Sequence, residues 1–113
     1  MKDLAGLMKQ AQEMQSRMRE AQERLETLEV TGESGAGLIR VTLTAKGEMR
    51  ALAIDPSLID PAEPEVLEDL IKAAHADARR KAETAQQKVL SEATQGIGLP
   101  PGFDMPFGIK PGG

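Results

Sequence analysis

The stretch LAGLMKQAQEMQSRMREAQERLETL, residues 4–28, decides the fold. Its apolar side chains alternate at spacings of three and four, which is the a/d pattern of a helix that packs along one seam. The seam residues are Leu4, Leu7, Ala11, Met14, Met18, Ala21, Leu25 and Leu28. A helix of about 25 residues is about 37 Å long, which is too long for a small domain to bury alone. The seam therefore requires a partner helix, either from this chain or from a second copy.

The composition limits the classes of function. The 113 residues suffice for one domain with a modest core, and they include two Phe, one His and no Trp, Tyr or Cys. The lack of cysteine excludes disulfides and thiolate zinc sites, and a single histidine excludes a paired-histidine metal site. No apolar run reaches the roughly 18 residues of a membrane span, and the N-terminus does not resemble a secretion signal, so we expect a cytoplasmic protein. The formal net charge of −4 lacks the basic excess typical of nucleic-acid-binding proteins, so any such role depends on local patches.

The spacing of apolar residues changes to two after Leu28. This alternation predicts strands at residues 29–33, 38–45 and 48–55, and their short connections predict an antiparallel meander. The segment GESGAG, residues 32–37, resembles a phosphate-binding loop only in composition, so we interpret it as a turn. We expect helices to cover the apolar face of the sheet.

A second helix begins near Pro64, where the missing N–H of proline costs nothing. Its apolar stripe consists of Leu67, Ile71, Ala74, Ala78, Ala82, Ala85 and Val89, with Leu70 beside it. The first half of the stripe can pack on the sheet, and the alanine-rich second half can lie beside the first helix. We predict an α+β fold with a long N-terminal helix, a three-stranded antiparallel sheet and a long C-terminal helix over residues 1–96. A flexible tail rich in Pro and Gly follows over residues 97–113, and the protruding helices predict a dimer.

No residues combine into a catalytic, cofactor-binding or metal site. His75 has no partner at helical spacing, which predicts a solvated surface histidine. Glu68 and Asp69 are explained by the positive N-terminal end of the second helix. We therefore expect no enzymatic activity, no cofactor and no small-molecule substrate.

The charges are distributed unevenly over the two helices. Up to residue 26, five basic and five acidic side chains cancel, whereas residues 71–90 carry five basic and two acidic side chains, a net charge of +3. Such a segment can contact phosphates, and two-fold symmetry would present it twice. The alternative is a solvated face that suits the C-terminal half of a helix, and the charge pattern alone favours this alternative.

Five stretches follow one another along the chain: MKQAQEMQSRM (8–18), VTGESGAGLIRVTLTAKGEM (30–49), AIDPSLID (53–60), LEDLIKAAHADARRKAE (67–83) and PPGFDMPF (100–107). Together they resemble the YbaB/EbfC family of small bacterial nucleoid-associated DNA-binding proteins. The resemblance implies a homodimer with an intertwined sheet core and helices that project like tweezers. It further implies binding of double-stranded DNA in the cytoplasm, where the nucleoid lies, without enzymatic activity or a cofactor.

The resemblance and the basic segment together give nine candidate DNA-binding residues on the helices. They are Lys9, Arg17, Arg19, Arg24, Lys72, Arg79, Arg80, Lys81 and Lys88. We expect them to contact mainly phosphates, which position a protein on DNA and read little sequence directly. The alternative function is a coiled-coil module that grips a protein partner between its helices without direct DNA binding, and the acidic pI of about 5.0 favours this alternative.

Overall fold

The structure, a computed structural model, describes residues 4–95. In chain order the elements are α1 (Leu4–Thr27), β1 (Glu29–Ser34), β2 (Ile39–Thr44), β3 (Met49–Ile54), a 3-10 turn (Pro56–Leu58) and α2 (Pro64–Thr94). The predicted α+β fold and its order of elements are confirmed. The predicted flexible tail, residues 97–113, and the domain boundary after residue 96 lie outside the described residues.

The three strands form one antiparallel sheet in the order β1-β2-β3. Gly32 pairs with Val41 in the first hairpin, and Val41 pairs with Leu52 in the second. Gly35, Ala36 and Gly37 have φ angles of 60°, 57° and 89° and close the first hairpin. Left-handed backbone of this kind suits glycine, so residues 35–37 form the predicted turn, whereas the first three residues of the segment, Gly32, Glu33 and Ser34, belong to β1.

The first hydrophobic core lies between the sheet and the first half of α2. Ile39, Val41 and Leu43 point from β2 towards α2 and are fully buried beside Ala74 and Ala78. The alanines allow the helix backbone to approach the strands closely. The predicted packing of this half of α2 on the sheet is thereby confirmed.

A second core joins α1 to the distal half of α2. Ala21 and Leu25 of α1 are buried with Val89 and Leu90 of α2 and with Ala45, which follows β2. The two helices run antiparallel, since Arg24 pairs with Glu92 while the earlier Arg17 reaches the later Gln95. The distal half of α2 is therefore the partner that the C-terminal half of the α1 seam requires.

Two parts of the predicted apolar surface are not covered within residues 4–95. Leu4 and Leu7 at the start of the α1 seam are 72% and 62% exposed, because α2 ends beside Arg17 and the preceding turns of α1 have no neighbour among residues 4–95. On β3, Met49 and Leu52 are 50% and 43% exposed, because α2 lies over β1 and β2. The predicted cover of the sheet by a helix is confirmed for β1 and β2, while Met49 and Leu52 of β3 stay exposed within residues 4–95.

Candidate functional site

A polar network around Asp77 joins α2 to β1. The Asp77 carboxylate accepts a hydrogen bond of 3.0 Å from the backbone N–H of Glu33 and lies 3.1 Å from Lys81 Nζ and 3.2 Å from Arg80 Nη2. Lys81 also donates a 2.9 Å hydrogen bond to the carbonyl of Thr31. The hydrogen bonds from the Glu33 backbone and from Lys81 lower the pKa of Asp77, because both stabilise the carboxylate. Lys81 is thus held between helix and strand.

Arg79 and Arg80 make only surface ion pairs. Arg79 Nη2 lies 3.4 Å from Glu83 one turn later, and both side chains are at least 60% exposed. The Arg80 side chain is 70% exposed beside Asp77. Exposed pairs of this kind contribute about 0–1 kcal/mol, so a phosphate can replace the carboxylate at little cost.

Arg17 and Arg24 link α1 to the end of α2. Arg24 Nη1 lies 3.0 Å from Glu92 Oε1, and Arg17 donates a hydrogen bond to the carbonyl of Gln95. Both arginines line the groove between the two helices, with Ala21 and Val89 at its base. These two cations therefore bridge the edge of the helix pair, whose packing depends mainly on the second core.

The other four candidates are exposed and lack such contacts. In the described part of the chain, no ion pair or side-chain hydrogen bond involves Lys9 and Arg19 on α1 or Lys72 and Lys88 on α2. Lys9 and Arg19 are about 15 Å apart along the axis of α1, and Lys72 and Lys88 are about 24 Å apart along α2. The four cations thus extend along both helices and are open to an anionic partner.

Two further cations, Lys46 and Arg50, make structural contacts at the C-terminal end of α1 that the sequence did not predict. Lys46 Nζ lies 3.3 Å from Glu26 Oε2, and Arg50 Nη2 donates a 3.4 Å hydrogen bond to the Glu26 carbonyl. Positive charge is favourable at this end of a helix. No local pattern reveals these contacts, because they depend on how the second hairpin is placed against α1. The Asp77–Lys81 pair, by contrast, follows the i,i+4 spacing that the sequence shows.

His75, the acidic side chains and the apolar character of the helices bear on other kinds of site within residues 4–95. His75 lies half-buried on α2. No group of three or more His, Asp or Glu side chains in this range is placed to hold a metal ion. None of the helices in the same range is both long and apolar enough to cross a membrane.

The chain is similar to known proteins both in sequence and in fold. The YbaB/EbfC DNA-binding family matches residues 1–97. A nucleoid-associated protein of Maricaulis maris is 66% identical over 107 residues, which are 95% of this chain and all of the relative. A nucleoid-associated protein of Granulibacter bethesdensis is 55% identical with the same coverage. The crystal structure of an uncharacterized protein from Helicobacter pylori shares the fold, with a TM-score of 0.68 and 22% identity over 81% of this chain and 97% of that one.

Proposed function

Because the chain belongs to the YbaB/EbfC DNA-binding family, we propose that it binds double-stranded DNA as a homodimer, mainly through phosphate contacts from cations on its two helices. The proposal places the protein at the nucleoid in the cytoplasm, in keeping with the nucleoid-associated relatives, and assigns it no catalytic activity. The observation that carries the proposal is the set of four exposed cations without an intrachain ion pair in residues 4–95. Such a cation can pair with a phosphate without first breaking an ion pair with a carboxylate of the same chain.

The nine candidate residues divide into three roles under this proposal. Lys9, Arg19, Lys72 and Lys88 contact phosphates directly. Arg79 and Arg80 exchange their weak surface pairs for phosphates when DNA is present. The remaining three, Arg17, Arg24 and Lys81, position the helices that carry the others.

The exposed strand β3 supports the homodimer. β3 is the last strand of the sheet, so its outer row of backbone N–H and C=O groups has no neighbouring strand within residues 4–95. Its side chains Met49 and Leu52 are exposed on the same strand. Open strand edges with apolar side chains readily pair with another chain. Pairing of β3 with β3 of a second copy would extend the sheet, cover these side chains and present the four cations twice.

The test compares two double variants that remove the same charge. Lys72→Gln with Lys88→Gln removes two cations from α2, and Arg40→Gln with Lys46→Gln removes two cations from the sheet region. Affinity for a random-sequence duplex is measured by fluorescence anisotropy at low salt. We expect the α2 variant to bind at least about tenfold more weakly than the control, since each phosphate contact contributes to affinity. Equal losses in the two variants would contradict a role for the α2 cations.

The alternative of a protein-binding module rests on the exposed apolar side chains at the start of α1. Capture of partners from lysate, with and without nuclease, separates the two functions. DNA-mediated partners are lost after nuclease treatment under the DNA-binding proposal. A partner that is retained at full yield, together with no duplex binding by the purified protein, would favour the alternative.

A further inference from the structure

The N-terminal half of α1 carries an apolar face that residues 4–95 leave mostly exposed. Its members are Leu4, Leu7, Met8, Ala11, Met14 and Met18. Leu4, Leu7 and Met8 are 61% to 72% exposed, whereas Met18 is half-buried against the second core. At about 100° per residue, all six lie within about 60° of the direction of Ala11. An open groove lies along one side of this face, with Ala11, Met14 and Met18 on its apolar wall and Gln15, Arg19 and Gln22 on its polar wall.

α2 ends beside the C-terminal end of this face, near Arg17. α2 ends at Thr94, and the carbonyl of the next residue, Gln95, accepts the hydrogen bond from Arg17. Since α2 runs antiparallel to α1, the axis of α2 at its C-terminal end is directed towards the N-terminus of α1. The axial distance from Arg17 to Leu4 is about 20 Å. Eight extended residues from Gln95 to Phe103 span up to about 26 Å, so the following segment is long enough to reach the whole face.

The chemistry of the segment PPGFDMPF, residues 100–107, suits a methionine-rich face. The only two Phe of the chain, Phe103 and Phe107, lie in this segment, and the chain has no Trp or Tyr. The cores of residues 4–95 therefore contain no Phe, Tyr or Trp side chain. Methionine thioethers make favourable contacts with aromatic rings, and the prolines of the segment reduce the conformational entropy that docking removes.

We propose that the segment of residues 100–107 packs on the apolar face of α1 in the same chain, with Phe103 and Phe107 against Met14 and Met18. This contact goes beyond DNA binding and does not depend on it. Lys9 lies about 160° around the helix from Ala11, so the docked segment leaves this cation exposed. The seam of α1 is then covered by α2 in its C-terminal half and by Phe103 and Phe107 around Met14 and Met18.

The test uses the full chain with ¹³C-labelled methionine methyl groups. We expect nuclear Overhauser contacts from Phe ring protons to the Met14 and Met18 methyls. The double variant Phe103→Ala with Phe107→Ala removes these contacts and shifts the resonances of both methyls. Met49, which is 50% exposed on β3, is the internal control, and its methyl resonance stays in place. Unchanged Met14 and Met18 resonances in the double variant would overturn the proposal.

A mixed sample identifies the chain that supplies the segment. Labelled and unlabelled protein are unfolded together, refolded and examined for ring-to-methyl contacts between chains. We expect contacts within a chain only, because Gln95 lies beside Arg17 of its own α1. Contacts found only between chains would overturn the assignment to the same chain.

Discussion

Substitution of Gly32 tests the close approach of α2 to the sheet. Gly32 lies inside β1, where alanine is normally tolerated, so the expected cost comes only from packing. A Cβ at this position would lie 2.2 Å from the backbone nitrogen of Ala78 and 2.5 Å from the carbonyl oxygen of Ala74. Both atoms belong to the helix backbone, so no side chain can rotate away to relieve the clash.

The size of the effect follows from the displacement that the clash requires. Carbon and backbone nitrogen need about 3.4 Å, so α2 must move by about 1 Å over β1. Such a shift loosens contacts of Ile39 and Val41 and stretches the hydrogen bond from Glu33 to Asp77. We expect Gly32→Ala to lower the free energy of unfolding by about 3 kcal/mol, the upper part of the range for overpacking. The midpoint of thermal unfolding should fall by more than about 10 °C.

Urea unfolding followed by circular dichroism at 222 nm measures this change. Gly47→Ala is the matched control, because a Cβ there meets no atom within 4 Å although the φ of 100° is unfavourable for alanine. We expect the control to cost about 1–2 kcal/mol, from the backbone alone. A loss for Gly32→Ala of less than about 1 kcal/mol would refute the packing argument.

Three further predictions concern the cores, the network and the dimer. Leu25→Ala should lower the free energy of unfolding by about 3 kcal/mol in a urea titration, since Leu25 is 3% exposed between α1 and α2. The control Ile59→Ala, at a 62% exposed position, should lower it by less than about 0.5 kcal/mol. Equal losses for the two variants would argue against the second core. Asp77→Asn should destabilise the fold at neutral pH. The pKa of Asp77 is lowered from its ordinary 3.8, so its carboxylate stabilises the fold above that pH and the advantage is lost as the pH falls through the lowered pKa. Unfolding curves from pH 2 to 7 should therefore converge for the two proteins in acid, and a constant difference would contradict this role. Leu52→Asp on β3 should give a monomer in sedimentation experiments while Ile59→Asp remains dimeric, and a dimer that survives Leu52→Asp would place the interface elsewhere.

The periodicity of the sequence was sufficient to predict the elements and their order. The spacing of apolar residues by three and four predicts α1, and the alternation of apolar and polar residues predicts β2. Pro64 is the first residue of α2, where the sequence places the start of the second helix. The alanine-rich half of α2 was correctly expected beside α1. Patterns of this kind report which side of an element is buried, and that property depends on local spacing.

Contacts between distant residues could not be predicted in the same way. The sequence does not show that Gly32 touches the backbone of α2, because the register of helix against sheet is a property of the whole fold. For the same reason, the nine candidate cations could not be divided into paired and unpaired residues. Arg24 is engaged because Glu92, 68 residues away, lies opposite it. The alignment of α2 along α1, which leaves Leu4 and Leu7 uncovered within residues 4–95, likewise depends on the whole fold.

The central claim is that exposed cations on the helices bind DNA phosphates, and the salt dependence of binding tests it most directly. The association constant for a random-sequence duplex is measured from low to physiological salt for the unsubstituted protein and for the variant with Lys9, Arg19, Lys72 and Lys88 all changed to Gln. We predict that affinity falls steeply with salt in the unsubstituted protein. In the variant, the slope of log K against log salt should be smaller by about 0.9 for each phosphate contact removed. Equal slopes and affinities for the two proteins would contradict the account.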